Sequence, residues 1–454
     1  MNWPETLSEG ATSWQLTAAT FVGLMSVPGL MVLYGGVMQK RWSVNSMMMS
    51  FVAFAIVVVL WCLFAFKMGF GTPIHLANSG FFGNFVGKPG SILSSSNLLG
   101  EAHLPELPEV KFLFPESTLA YFQIVFAAIT PLLMLGSVLG RINFKAWIPF
   151  VALWTVFIYT INAFLIWGGG FFAQHGAIDF SGGYVIHLAA GVSGFVAAAV
   201  IGPRLQRDRE VDAPNNLAMV AVGAGLLWLG WNGFNGGDWY SAGTIASGAV
   251  LNTNLCTAVA LLVWVAWDYL TGRKPSLIGS VNGMIVGLVG ITPAAGFVNG
   301  WGAIVIGVVA STLVYFALNY LSRVRPFRNV DDTLGVVYTH GFAGLIGGLM
   351  VAIFANSAMD SELVLPGTIS GGGLHLLGWQ ALTALWVIVF SGIGTFILLK
   401  LVGLFVPLRM TEEEMEEGDI AVHGHEVYPS DVPSLGYPDG IGSAASAPAP
   451  SASA

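Results

Sequence analysis

The stretch "IDFSGGYVIHLAAGVSGFVAAAVIGPR", residues 178–204, holds an aspartate and a histidine in a run long and apolar enough to cross a bilayer. Ionisable side chains at such depth cost free energy and mark pathways or partnered sites. Asp179 and His187 therefore pose the question of function, and the run around them decides the fold. No alternation of period two competes with it, so it reads as a helix, which satisfies its own backbone groups in hydrocarbon.

The rest of the chain agrees. Of its 454 residues 55% are hydrophobic and only 9% charged, with mean hydropathy +0.73, whereas charged residues make up roughly a quarter of a soluble chain. The net charge of −8 does not indicate a nucleic-acid binder, since most acidic residues fall in loops and the tail. Cys62 and Cys256 lie in apolar segments and read as small packing residues, with no disulfide or metal framework. No Lys or Arg precedes Lys40, so the basic region of a cleavable signal is missing and the first apolar stretch is expected to remain a helix.

Stretches long enough to span recur at about 14–36, 44–70, 117–139, 146–168, 180–202, 215–236, 244–270, 277–296, 301–322, 333–355 and 379–406. The expectation is an all-α polytopic membrane protein of eleven helices. Lys and Arg cluster after the odd-numbered spans, at Lys40/Arg41, Arg141/Lys145, Arg204/Arg207/Arg209, Arg273/Lys274, Arg323/Arg325/Arg328 and Arg409. By the positive-inside rule these loops are cytoplasmic, which puts the N-terminus outside and the C-terminus inside.

The spans also repeat five apart. "HLAAGVSG" at His187 and "HGFAGLIG" at His340 both read H-x-x-A-G-x-x-G, "ITP" recurs at 129–131 and 291–293, and "LYGG" in span one answers "FNGG" in span six. A five-span unit is odd-numbered, so its copy enters from the other side. The result is a pair of inverted repeats, about 14–202 and 215–355, with an added eleventh helix. Such folds run their substrate path between the halves near the midplane. The repeat places His187 and His340 in equivalent positions, where neutral imidazoles offer one donor and one acceptor each.

The 179–204 stretch resembles the signature of the Amt/Mep/Rh ammonium transporters. Further similarity lies in "VPGLMVLYGG", "FQIVFAAIT", "WGGGFFAQHGAIDF", "GWNGFNGG", "VDDTLGVVYTHGFAG" and the tail "EEGDIAVHGHEVY". It covers residues 14 to 430, and "DDTLGVVYTHG" and "GFNGGD" look closer to the plant-type branch. The resemblance implies that His187 and His340 are the twin pore histidines and that Phe126 and Phe234 are the stacked gate. It implies Trp167 as the wall of an outer ammonium site, Trp231 as a second pore aromatic, and Asp179 as an acidic position near that site.

Each residue has a plainer reading. The phenylalanines suit any helical core, Trp167 an interfacial anchor, and Asp179 a helix cap rather than a direct ligand. One position departs from the family. Where a serine stands four residues beyond the second gate phenylalanine, this chain has Asp238, which either faces the outer vestibule or turns outward and leaves the hydroxyl to Ser241.

The leading function is ammonium transport by deprotonation and passage of ammonia, with or without separate proton transfer. An ammonium sensor of the same fold and an Rh-like ammonia or carbon dioxide channel are the alternatives. No nucleophile–base set or metal cluster suggests an enzyme, and no cofactor is expected. The resemblance implies a homotrimer in the cell membrane, with ammonium or methylammonium as substrate, lipid as surroundings and a PII-type protein as possible regulator. Residues 409–430 read as a cytoplasmic regulatory tail, with Ala421 at the place of a phosphorylatable threonine. Of the remaining features, "RLQRDREVD" reads as a solvated loop, His423/His425 as a solvated H-x-H, His75, His103, His175 and His375 as outer-loop residues, and 431–454 as disordered.

Overall fold

The computed structural model describes residues 7–76, 81–210, 213–360 and 365–428. Eleven apolar helices dominate it, ten of them long enough to cross a membrane and α8 shorter, at 15 residues: α1 (Glu9–Val37) and α2 (Lys40–Phe70); α3 (Glu116–Leu135); α4 (144–166); α5 (Gly183–Ile201); α6 (Leu217–Gly237), α7 (Thr244–Leu270) and α8 (Leu277–Ile291); α9 (Gly300–Asn319); α10 (Val337–Phe354); and α11 (His375–Val402). Their starts are written in the sequence as side-chain caps. Asn143, Asn216, Ser276 and Asn299 accept the first free amides of α4, α6, α8 and α9.

The expected spans hold with boundaries moved by a few residues, α1 opening at Glu9 and α3 ending at Leu135 among them. Helix α5 begins at Gly183 and α10 at Val337, each a few residues late, and α8 stops at Ile291. The residues ahead of α5 and α10 form turns and bond across the two halves. Phe180 and Ser181 amides donate to the Pro293 and Thr292 carbonyls, which close α8, at 3.2 Å each. Thr333 and Leu334 amides donate to Ser137 and Gly136 carbonyls beyond α3, at 3.3 and 3.1 Å. The lead-in to each half's fifth helix thus rests on the other half's third. His375, read as a loop residue, opens α11.

Helices α5 and α10 lie at the centre, buried along most of their length. Around them the polarity is reversed from that of a soluble protein, as lipid requires. Along α11 Leu382, Leu385, Val389, Ile393 and Phe396 are exposed, while Gln380, Thr383, Ser391 and Thr395 point inward.

The arginine-rich loops gather on one face, where the structure corrects the reading of "RLQRDREVD" as solvated. Arg204 forks onto Asp331 at 3.0 and 2.9 Å, and its amide donates to the same carboxylate at 2.7 Å. Asp208 is buried against Arg41. Arg141, fully buried, donates to Gly202 O at 2.7 Å and also to Asp331 O and Thr333 Oγ1. Composition could not reveal this, because the partners come from loops over a hundred residues away.

The tail docks on this face. Met410 N donates to Arg141 O at 3.0 Å, and Asp419 caps the start of α2 by accepting from Val44 and Asn45 amides at 2.8 Å each. His423 is half-buried with Nε2 3.0 Å from Asn45 Oδ1, so the H-x-H is not simply solvated. The low-complexity segment 431–454 lies outside the described residues.

Burial alone would raise the Asp331 carboxyl, but the Arg204 fork and nearby Arg141 outweigh it and hold it below the usual range. A depressed carboxyl stabilises above its unfolded pKa of about 4, and that contribution fades as pH falls through the folded value. Asp331→Asn should cost on the order of 3 kcal/mol, because it leaves the buried Arg204 guanidinium without its carboxylate and removes a counter-charge from Arg141, which keeps its bond to the Asp331 carbonyl. Thermal unfolding in detergent checks this. The gap from wild type should be constant between about pH 8 and 5 and narrow below about pH 4; no gap at pH 7 contradicts the assignment.

Candidate functional site

Two short segments with one design build the site. Asp179, Gly182 and His187 share the spacing D-x-x-G-x-x-x-x-H with Asp332, Gly335 and His340. Gly182 and Gly335 have φ of 105° and 71°, a left-handed turn that costs glycine little. The turn folds each carboxylate over the free amides that open its helix. Asp179 accepts from Gly182, Gly183, Tyr184 and Val185 amides at 3.2, 2.6, 2.9 and 3.0 Å. Asp332 accepts from Val336 and Val337 amides at 3.1 and 2.8 Å. Asp179 thus spends both oxygens on backbone. Asp332 escaped the sequence reading, although its eight-residue distance from the histidine was the available signal.

Each histidine sits in a π-helical opening turn, Gly183–Leu188 or Val337–Phe342, a geometry frequent at functional sites. The two helices then cross with backbones nearly touching. A Cβ at Gly191 would fall 2.3 Å from Gly341 Cα, and one at Gly344 would fall 2.4 Å from Gly183 O and 3.1 Å from His187 Cβ.

This crossing brings His187 Nδ1 and His340 Nδ1 to 3.1 Å, with ring centroids 5.3 Å apart and planes 21° apart. One Nδ1 must carry the proton that the other accepts, so both rings are not charged together. In that state one Nε2 is an acceptor and the other a donor. His187 Nε2 is buried and meets no partner among the described residues.

Aromatic rings continue the line beyond His187. Trp231 stacks on it at 5.4 Å and 15° and is fixed by donating Nε1–H to Thr292 Oγ1, from the second "ITP", at 2.9 Å. Phe234 lies 5.9 Å from the imidazole and stacks on Phe126 at 4.3 Å and 26°. Both phenylalanines are wholly buried. Trp167 stands edge-on to Phe126 at 6.2 Å and donates Nε1–H to Asp179 O at 2.7 Å.

Asp238 follows Phe234 by one turn and is 6% exposed, so its carboxylate turns inward rather than out to solvent. It faces the Ser181 and Tyr240 hydroxyls, and Ser181 donates to Phe234 O at 2.8 Å. Tyr240, at φ 57°, turns the chain back toward Gln123, which donates to its hydroxyl at 2.8 Å. Asp238 Oδ2 completes no hydrogen bond among the described residues.

On the arginine-rich side of the histidines a cavity of about 400 Å³ reaches His340, lined among others by Tyr34, Trp231, Asn282, Arg328 and Asp332. The sequence-selected residues therefore form one line: Trp167 with Asp238 and Asp179 nearby, the phenylalanine pair, Trp231, His187, His340 and the cavity. No group of three or more His, Cys, Asp or Glu able to hold a metal occurs among the described residues.

Known proteins resemble the chain over nearly its whole length. The model of the Ammonium Transporter Family matches residues 13–428. Ammonium transporter 2 of Arabidopsis thaliana is 48% identical over 433 residues, covering 94% of this chain and 89% of that protein. Ammonium transporter 3 member 2 of Oryza sativa subsp. japonica is 48% identical over 440 residues, covering 93% and 90%. Among solved structures, Saccharomyces cerevisiae Mep2 superposes with a TM-score of 0.76 at 29% identity, over 90% of each chain.

The crossing leaves no room for a side chain. Gly344→Ala should therefore destabilise the protein by about 1–3 kcal/mol as α5 and α10 are forced apart. Thermal unfolding in detergent reads this directly, and wild-type stability would contradict the close approach.

Proposed function

The chain belongs to the ammonium transporter family, and on that premise we propose that it moves ammonium nitrogen across the membrane as ammonia, after removing a proton at a phenylalanine-closed entrance. That proton is relayed separately through the His187–His340 pair, so that each cycle carries charge. The observation that carries this reading is the buried pair His187 and His340, 3.1 Å apart behind the stacked Phe126 and Phe234. The positive-inside rule assigns the arginine-rich face to the cytoplasm, so the entrance with Trp167 and Asp238 faces outward.

The energetics favour this division of labour. A cation is held at the entrance by the Trp167 and Phe126 rings, each cation–π contact worth about 0.5–2 kcal/mol, and by the nearby Asp238 carboxylate. Taking it through the apolar interior as an ion would cost from about 3 to more than 10 kcal/mol. Losing a proton removes that charge penalty and leaves a small molecule with three donors and one acceptor. His187 Nε2, buried and unpartnered, is placed to exchange hydrogen bonds with it. Potassium has no proton to lose and stays outside. Family membership further supports a homotrimer with one path per subunit, and a PII-type protein as a cytoplasmic partner.

Removing the imidazoles should remove the selection. His187→Ala or His340→Ala is expected to abolish ammonium-dependent current in proteoliposomes, or to admit potassium, while the protein remains folded. Full, selective current in the double alanine variant sinks the role.

Burial raises the Asp238 carboxyl, and a cation arriving beside it favours its charged form, so Asp238→Asn should raise the half-saturating ammonium concentration and leave potassium exclusion intact. Because Asp238 is buried, salt screens its field little, and the shift should persist at high ionic strength. Uptake against ammonium concentration at two salt levels decides it, and an unchanged half-saturation value at both removes Asp238 from recruitment.

A further inference from the structure

The loop joining α9 to α10 reads "SRVRPFRN", residues 322–329, and its three arginines are exposed. None of Arg323, Arg325 and Arg328 pairs with a carboxylate among the described residues. On the same face Arg204 and Arg41 are paired with buried aspartates and Arg141 is fully buried, while Arg209 is exposed like the three of this loop. Direction in the membrane explains why basic residues lie here. It does not explain what stands next to them.

An apolar groove of about 520 Å³ runs between α9 and α10 and ends at this loop. Leu313, Phe316 and Tyr320 of α9 form one wall, Phe342 and Ile346 of α10 the other, and Val324 of the loop closes the end. Leu313, Phe316, Tyr320 and Val324 are all exposed, so no other part of the described chain covers the groove. Arg323 lies next to Val324 on one side and Arg325 on the other.

We propose that the α9–α10 groove and the Arg323/Arg325 pair form a binding site for an anionic phospholipid of the cytoplasmic leaflet, with an acyl chain in the groove and the headgroup phosphate on the two guanidinium groups. A lipid joins both required chemistries in one molecule, an apolar tail at hydrocarbon depth and a negative group at the interface. Arginine suits phosphate through its planar, multi-donor fork. The inference rests on the membrane-spanning reading and the orientation, and not on which molecule is transported.

The site also adjoins the path. Phe342 is both a groove wall and a ring neighbour of Phe327, at 5.8 Å, and Phe327 packs on Tyr338 at 6.2 Å in the turn that carries His340. Phe327 and Arg328 line the cavity below His340. A lipid in the groove therefore holds the loop that walls the exit.

Native mass spectrometry of the full-length protein, titrated with phosphatidylglycerol or phosphatidylcholine, tests the site without any transport assay. Two arginines at a membrane surface contribute enough that R323Q/R325Q should weaken phosphatidylglycerol binding about tenfold or more and leave phosphatidylcholine unchanged. I346W, which fills the groove and keeps the charges, should weaken it as well. K145Q/K274Q removes two exposed cations elsewhere on the same face and should bind as wild type. Wild-type binding by R323Q/R325Q or by I346W overturns the proposal, as does an equal loss in K145Q/K274Q, which indicates diffuse attraction. Loss of the oligomer in R323Q/R325Q with lipid binding intact assigns the arginines to a neighbouring copy and overturns it too.

Discussion

The constraint on which the site depends is the crossing of α5 and α10, where Gly191 meets Gly341 and Gly344 meets Gly183 with no space for a methyl group. Everything chemical follows from that approach. It sets His187 against His340 at 3.1 Å, and it makes the inverted repeat matter, since equivalent residues of the two halves become partners. In lipid no hydrophobic drive joins helices, so close backbone packing and internal hydrogen bonds must hold the crossing. The capped aspartates and the exchanged bonds from Phe180, Ser181, Thr333 and Leu334 supply part of that hold.

The two ends of the path differ although the halves share a design. At the aromatic end Asp179 spends its oxygens on four amides and Asp238 keeps one oxygen free. At the other end Asp332 caps its helix beside Asp331, and Arg204 and Arg141 fasten Asp331 to other loops. One end carries a buried carboxylate and is closed by rings; the other is braced and open into a cavity. The asymmetry lies in side chains grafted on a symmetric frame.

Much of this was legible in the sequence, because lipid enforces it. Span length, loop charge and the H-x-x-A-G-x-x-G repeat led to eleven helices and to the histidine pair. The starts of α5 and α10 were misjudged because Phe180, Leu334 and Val336 are apolar and hide a capped turn within a hydrophobic run. Ion pairing at Arg204 and Asp208 was invisible, since it depends on chain segments far apart in sequence. The inward turn of Asp238 is accompanied two residues on by the left-handed backbone of Tyr240, a conformation few non-glycine residues adopt and spacing does not reveal.

Ammonium and potassium carry the same charge and nearly the same size, so a pore that passed ammonium as an ion would have little ground to refuse potassium. The decisive measurement is the flux of both ions through the wild-type protein in proteoliposomes under equal driving force, with potassium then raised to large excess. The account predicts ammonium-dependent flux without potassium flux, undiminished by the excess. Potassium flux comparable to that of ammonium would contradict passage as ammonia.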